Sequence, residues 1–290
     1  MSAAAVTAVA VTTAAPDLES FAGTGLLWEV AGHPCIAGTS TDPADGRVDC
    51  LVEYAPEPLL TDPSALALLV HEVMAGQPRP RWRNLVVRSR GEVALPAPMV
   101  RDLTHLVLDR AAGPGPLLPP GISIAPSVGP GADARVGDWL RRAVADGNSQ
   151  RGLPDGGALV DETVDAYLAA PDRVSLIASL DTPGGPRPIA HATLLTGAVD
   201  EVYGTPFVDL VDILVDEDQD VPLLTRALVA ASARHAADVG LPLVGNVVHG
   251  LDAEGAVQGE RVVASLIRKG WQLLDTYWRC PLDPEVWESP

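Results

Sequence analysis

The apolar positions of this chain follow two rhythms, period two and period 3.6, and their order predicts alternating strands and helices. The pattern is clearest from residue 120 onward. Ile122–Ala125 reads as a short strand, Ala134–Ala145 as a helix, and Asp161–Ala170 as a second helix that Pro171 ends. Val174–Leu180 and Ile189–Leu195 read as a strand pair around the turn sequence DTPGGPRP. Phe207–Val215 is a strongly apolar strand, and Pro222–Val239 is a long Ala/Leu-rich helix closed by Gly240. Leu243–Val248 as a strand, Glu260–Lys269 as a helix closed by Gly270, and Trp271–Cys280 as a final strand complete the series.

Upstream the rhythm is an echo of the same kind. Val48–Tyr54 reads as a strand, Ser64–Ala75 as a helix, Asn84–Ser89 as a strand and Met99–Arg110 as a helix. The run AAGPGPLLPP, Ala111–Pro120, breaks the chain, and a second loose stretch covers Pro126–Gly131. The expected organisation is a disordered tail over 1–20, an N-terminal α/β domain over 21–112, a linker over 113–120 and a larger α/β domain over 121–283. The N-terminal part fits two descriptions: a degenerate copy of the second half of the downstream unit, or an unrelated small α/β domain.

Composition narrows the function classes. At 290 residues and 47% hydrophobic the chain can build a sizeable core. A net charge of −18 argues against a nucleic-acid partner, which needs clustered Lys and Arg, and suits a cationic amine or peptide. No apolar run reaches transmembrane length, so no membrane role is expected. The cysteines Cys35, Cys50 and Cys280 lack metal or redox spacing, which predicts a reducing cytoplasm and no metal. Met1–Pro16 is apolar, but the first Arg is Arg47, so a signal peptide does not fit and a tail does.

Two stretches then carry a resemblance. Val215–Leu228, VDEDQDVPLLTRAL, and Ile267–Trp271, IRKGW, stand in the order and at the separation found in the GNAT superfamily of N-acetyltransferases. Val215, Asp216 and Asp218 resemble that family's turn after the central strand, and Arg226, Ala227 and Leu228 its main helix start. The resemblance implies a mixed central sheet flanked by helices, with the N-terminal part as a candidate degenerate half of the same kind. It implies acyl transfer to an amine of a small molecule or peptide, of the sort met in natural-product (lipopeptide) pathways. The donor it implies is an acyl-CoA or acyl-phosphopantetheine thioester, the latter on an acyl carrier protein. Leu214, Val215, Leu223, Leu224, Thr225 and Arg226 fall at the donor-binding positions. The departures are specific. Asp220 replaces the usual basic residue, Val221 and Leu223 replace glycines, Thr225 replaces the last small residue, and Pro222 removes an N–H. A carboxylate ~4 Å from a phosphate charge costs on the order of 4 kcal/mol at an effective dielectric near 20. The loop is therefore expected to start a helix well and to hold a diphosphate poorly. Glu260 and Leu266 stand where the family often has Asn and an acidic Tyr.

Acyl transfer to an amine needs a base, an oxyanion donor and an acid. Asp209 and Asp212 interrupt the apolar strand, and period-two alternation places them on opposite faces, one of them in the cleft as base. Tyr277 and Ser265 are the substitutes for the acid, and His249 is a further base or shuttle. His191 and His235 read as packing or surface residues. The run containing Arg79, Arg81, Arg83, Arg88 and Arg90 reads as a phosphate or carrier-protein grip, or as a charged strand edge. The alternative to an enzyme is an inactive protein that binds or scaffolds on the same fold.

Overall fold

The computed structural model describes residues 15–42, 46–76, 82–108, 115–127, 130–153, 157–250 and 253–282. Most of the expected tail, Met1–Ala14, lies outside them, as do Ala111–Pro114 of the Pro/Gly break. The far end of the expected tail is instead structured. Leu18–Phe21 forms a 3₁₀ turn capped by the Asp17 side chain, and Asp17 N donates to Val202 O at 2.9 Å.

The first half comprises β1 (Leu27–Val30), β2 (His33–Thr41), β3 (Val48–Tyr54), α1 (Glu57–Thr61), α2 (Pro63–Ala75), β4 (Asn84–Arg90) and β5 (Val100–Leu108). The second comprises β6 (Ile122–Pro126), α3 (Pro130–Gln150), α4 (Ala158–Ala169), β7 (Arg173–Thr182), β8 (Gly185–Asp200), β9 (Thr205–Val215), α5 (Val221–Asp238), β10 (Leu243–Val248), α6 (Ala253–Arg268) and β11 (Gln272–Pro281). Two differences from the sequence reading matter. The β1–β2 hairpin was missed, and the expected helix Met99–Arg110 is strand β5. Tertiary pairing overrides local propensity there, because β5 is hydrogen-bonded on both sides, to β10 and to β11.

One mixed sheet runs β1-β2-β3-β4-β11-β5-β10-β9-β8-β7-β6. Its centre is an exchange of strands. β11 from the second half lies between β4 and β5, and β5 from the first half lies between β11 and β10. The two halves that Ala111–Pro120 separates in sequence are thus interleaved in the sheet. Helices cover it from both faces. α2 buries Leu66, Leu69, Val70 and Val73 over the first half, each worth about 1.5–3 kcal/mol. α5 buries Leu224 and Leu228 over the second half, against Val208, Leu210 and Val215 of β9. α3 and α4 lie on the opposite face, with Val136, Leu140, Val160 and Val164 packed on Ile177 and Val211.

Candidate functional site

Each half contains one parallel strand pair that comes apart partway along. β3 and β4 pair through Val52↔Val87, after which β3 continues beside β2 and β4 beside β11. β9 and β10 pair through Leu210↔Gly245, after which β9 follows β8 and β10 follows β5. Past each parting point an acidic side chain appears: Glu53 in the first half and Asp212 in the second.

At the first parting point the two halves build a charged cluster. Arg88 Nη2 lies 2.5 Å from Asp200 Oδ2 and 2.5 Å from Asp275 Oδ2, and Nη1 lies 3.5 Å from Glu53 Oε2. Tyr277 donates its hydroxyl to Glu53 at 3.2 Å, and His105 Nδ1 stands 3.0 Å from Asp275 Oδ1 with its ring edge-on to Tyr277. These side chains come from β3, β4, β5, β8 and β11, and the strand exchange is what brings them together. They line a cavity of about 470 Å³ whose apolar wall includes Leu26, Ile36, Phe207 and Val244. Four carboxylates (Glu53, Asp200, Glu201, Asp275) face one guanidinium there, so the cavity favours a cation. A second cavity of about 250 Å³, lined by Tyr54, Glu57, Arg90 and Tyr203, meets the first at Glu53 and Arg88.

Burial sets the protonation of this cluster. It raises the Glu53 carboxyl above the usual range, with the Arg88 charge and the Tyr277 bond opposing it. Asp275 would also be raised by its complete burial, but the His105 bond and Arg88 hold it below the usual range. Burial, reinforced by Glu53, keeps Tyr277 protonated well above the ordinary phenol range.

The expected placement of Asp209 and Asp212 on opposite faces is incorrect. The β8–β9 register slips between Thr193↔Asp212 and Leu194↔Leu210, so Val211 is an extra residue, a β-bulge. Val208, Leu210, Ile213 and Val215 pack toward α5, which leaves Asp209 and Asp212 together on the α3/α4 face, where burial first and then both carboxylates raise the Tyr167 phenol. Asp212 Oδ2 stands 3.7 Å from Nε2 of His191, a fully buried ring stacked on Trp139. Trp139 and Arg135 in turn bond Asp216.

Burial lifts Asp212 from 3.8 to about 6 and lowers His191 from 6.5 to about 3. The signs oppose. A raised carboxyl binds its proton more tightly in the fold, so its contribution falls as pH rises from 3.8 to 6. A lowered imidazole binds its proton less tightly, so its contribution is lost as pH falls from 6.5 toward 3. The two contributions should therefore offset each other between about pH 4.5 and 6. In Asp212→Asn the histidine effect is no longer offset, and the urea-derived stability should fall by about 2 kcal/mol more than that of wild type from pH 6.5 to 4.5. A variant profile parallel to wild type would show that the pair does not titrate this way.

The other expected residues separate. Tyr277 lies in the cluster. His249 does not. It is buried under α6, accepting or donating to Thr104 Oγ1 at 2.9 Å, and Gly259 leaves it room because a Cβ there would sit 2.5 Å from its Nδ1. Thr104 alternates with His105 along β5, so His249 is on the far face from the cavity. Ser265 is half-buried on α6 and His235 on α5. Of the arginine run, Arg79 and Arg81 lie outside the described residues, and Arg83 is exposed. Arg88 is buried, and Arg90 stacks 3.6 Å over Tyr203. β4 is an interior strand, so the edge reading of this run does not hold.

The α5 start does not fit a diphosphate. Asp220 Oδ1 accepts from Leu223 N at 3.0 Å and Asp220 O from Leu224 N at 3.0 Å, while Val221 N donates to Gln219 O at 2.9 Å. Pro222 has no N–H. The donors that would face an anion at a helix N-terminus are taken by the chain itself. Leu224 and Val215 are core residues, Leu214 pairs with His191, and Arg226 bonds back to Pro222 O at 3.2 Å. Thr225 is half-buried on the same first turn. Sequence reasoning missed Glu53, His105, Asp200 and Asp275; of the cluster it singled out Tyr277, and Arg88 through the excess of Arg in Arg79–Arg90, though with a different role.

No known family pattern and no curated protein matches the chain. Solved structures do, over most of its length. A tandem GNAT protein from the clavulanic acid biosynthesis pathway is 13% identical with a TM-score of 0.47, over 87% of this chain and 79% of that one. A GCN5-related N-acetyltransferase from Kribbella flavida is 14% identical with a TM-score of 0.47, over 89% of each chain. One from Sphaerobacter thermophilus is 13% identical with a TM-score of 0.49, over 86% and 77%. Likeness at this level concerns the fold alone.

Proposed function

We propose that the chain is a GNAT-type N-acyltransferase whose acceptor amine sits in the cavity between the halves, with Glu53 as its base. The observation that carries this reading is the acidic cluster at the point where β3 and β4 part. A cation is drawn into a cavity with an excess of carboxylate, and a carboxyl raised by burial is better matched to removing a proton at neutral pH. Glu53 takes the proton that frees the amine lone pair. Tyr277, held protonated, donates to Glu53 and orients it; it takes the place of an acid only in position. Arg88 balances the cluster so that Glu53 can ionise without a fourth uncompensated charge. The smaller cavity beyond Glu53 and Arg88 supplies the opposite approach, which suits a thioester arm. The helix start after β3 suits a diphosphate no better than the self-capped α5, because α1 opens with Pro56, Glu57 and Pro58. Both favour a donor that does not rely on its diphosphate, such as a thioester on a carrier protein, of the kind that serves in natural-product biosynthesis.

Acetyl-CoA is accordingly expected to bind at about 100 μM or weaker, ~1.4 to 3 kcal/mol short of a low-micromolar diphosphate site. Calorimetry with acetyl-CoA, octanoyl-CoA and a pantetheine thioester lacking the nucleotide checks this. Longer chains should gain up to ~0.8 kcal/mol per buried CH₂. Low-micromolar acetyl-CoA affinity that disappears with the nucleotide would contradict the reading of the loop. The closed α5 start also favours a second reading, an inactive binding protein. Amine binding without turnover of any CoA or carrier-protein thioester would establish that one.

A further inference from the structure

We infer that the acceptor is a zwitterion of short-peptide type, with its carboxylate held in a separate cavity beside the one that takes its amine. This rests on the acyltransferase reading of the first cavity and names its substrate class. The observation is a further cavity of about 360 Å³ between β2, β5, β11 and α3, which shares Leu51 and Tyr277 as wall with the first. The two compartments lie end to end along one strand face. Asp275 and Tyr277 line the first, Tyr277 and Arg279 the second.

Their charges differ. The second compartment holds three guanidinium groups, Arg47, Arg151 and Arg279, against three carboxylates, Asp42, Asp49 and Asp102. A balanced lining rejects a dianion and accepts a group that is itself part donor and part anion. Arg279 and Asp102 are more than nine-tenths buried and bonded at 2.7 Å, yet Arg279 Nε and Asp102 Oδ1 have no hydrogen-bond partner among the described residues. Both residues line the cavity while these two atoms are themselves closed off, so a ligand that shifts the pair slightly can use a donor and an acceptor that the fold leaves free. A carboxylate accepts from Arg279 Nε, and a peptide N–H donates to Asp102 Oδ1. Arg151, at the end of α3, stands 3.6 Å from Asp102 and 3.8 Å from Asp42 with 28% of its side chain exposed. It reaches toward both without a short bond to either and can turn its charge onto an incoming carboxylate.

The spacing sets the length of the ligand. Asp275 and Arg279 are four residues apart on β11, roughly 13 Å at ~3.4 Å per residue. Side-chain reach at both ends leaves about 10 Å, the span of an extended tripeptide at ~3.3–3.6 Å per residue.

The test is calorimetry on the full chain with trialanine, its C-terminal amide and propylamine, repeated with Arg151→Gln and Arg279→Lys. Trialanine should bind at least about 10-fold tighter than its amide, the scale of one lost charge-assisted contact. Arg151→Gln, a partly exposed position that leaves the fold intact, should cut that preference to less than about 3-fold while the propylamine affinity stays unchanged. Equal binding of trialanine and its amide overturns the inference and leaves the amine cavity standing. So does a preference that survives in both variants. No binding of any of the three overturns the amine reading of the first cavity, and this inference with it.

Discussion

Arg88→Met should lower the stability of the fold by about 3–5 kcal/mol, the usual cost of removing one partner from a buried ion pair. Arg88 is 7% exposed at its side chain and serves Asp200 and Asp275 at once, with Asp275 fully buried. Without the guanidinium, Asp275 keeps only His105, and burial then disfavours its charge. The loss should be read by urea unfolding at pH 7. A double variant, Arg88→Met with Asp275→Asn, should recover a large part of it, because a neutral amide no longer needs the cation. The acid limb offers a second check. Asp275 is held below its ordinary value, so its contribution is present above the unfolded pKa and lost as pH falls through the folded one. That loss should be missing from the double variant. An Arg88→Met protein as stable as wild type would mean that the cluster is solvated and the two halves are not tied through it.

Glu53→Gln should lower acyl transfer by about 10²- to 10⁴-fold, the scale of a lost general base, with little change in acceptor affinity. The substitution suits the test because Gln keeps the volume and an oxygen for the Tyr277 hydroxyl. Wild-type turnover should rise with pH through a carboxyl titration displaced upward from the ordinary range, since burial raises Glu53. That limb should be absent from the residual activity of the variant. Tyr277→Phe should cost less than Glu53→Gln, because it removes an orienting bond and leaves the base in place.

What the sequence made legible follows from how local each signal is. α2, α5 and β10 were visible because their residues and their end signals lie within a few positions of each other. The β1–β2 hairpin was not, because Ala31 takes a left-handed φ of 49° beside Gly32 at 77°, and Ala is not a residue that announces such a turn. Strand β5 was read as a helix because Met99–Arg110 alternates imperfectly, with Asp102 bulged where the β5–β11 register shifts. The same limit governed the site. Period two put Asp209 and Asp212 on opposite faces, and one inserted residue at Val211 reversed that. Glu53 and Asp275 are 222 positions apart (275 − 53), and only the strand exchange brings both to Arg88. The α5 start was legible because Asp220 and Pro222 act within their own turn.

The central claim is that amine activation belongs to the parting point of β3 and β4. It is tested most directly by turnover of Glu53→Gln and Asp212→Asn, measured side by side at saturating thioester with one cationic amine. The account predicts that Glu53→Gln loses about 10²-fold or more while Asp212→Asn stays within about 3-fold of wild type. A full-strength Glu53→Gln beside a crippled Asp212→Asn would contradict it and move the chemistry to the parting point of β9 and β10.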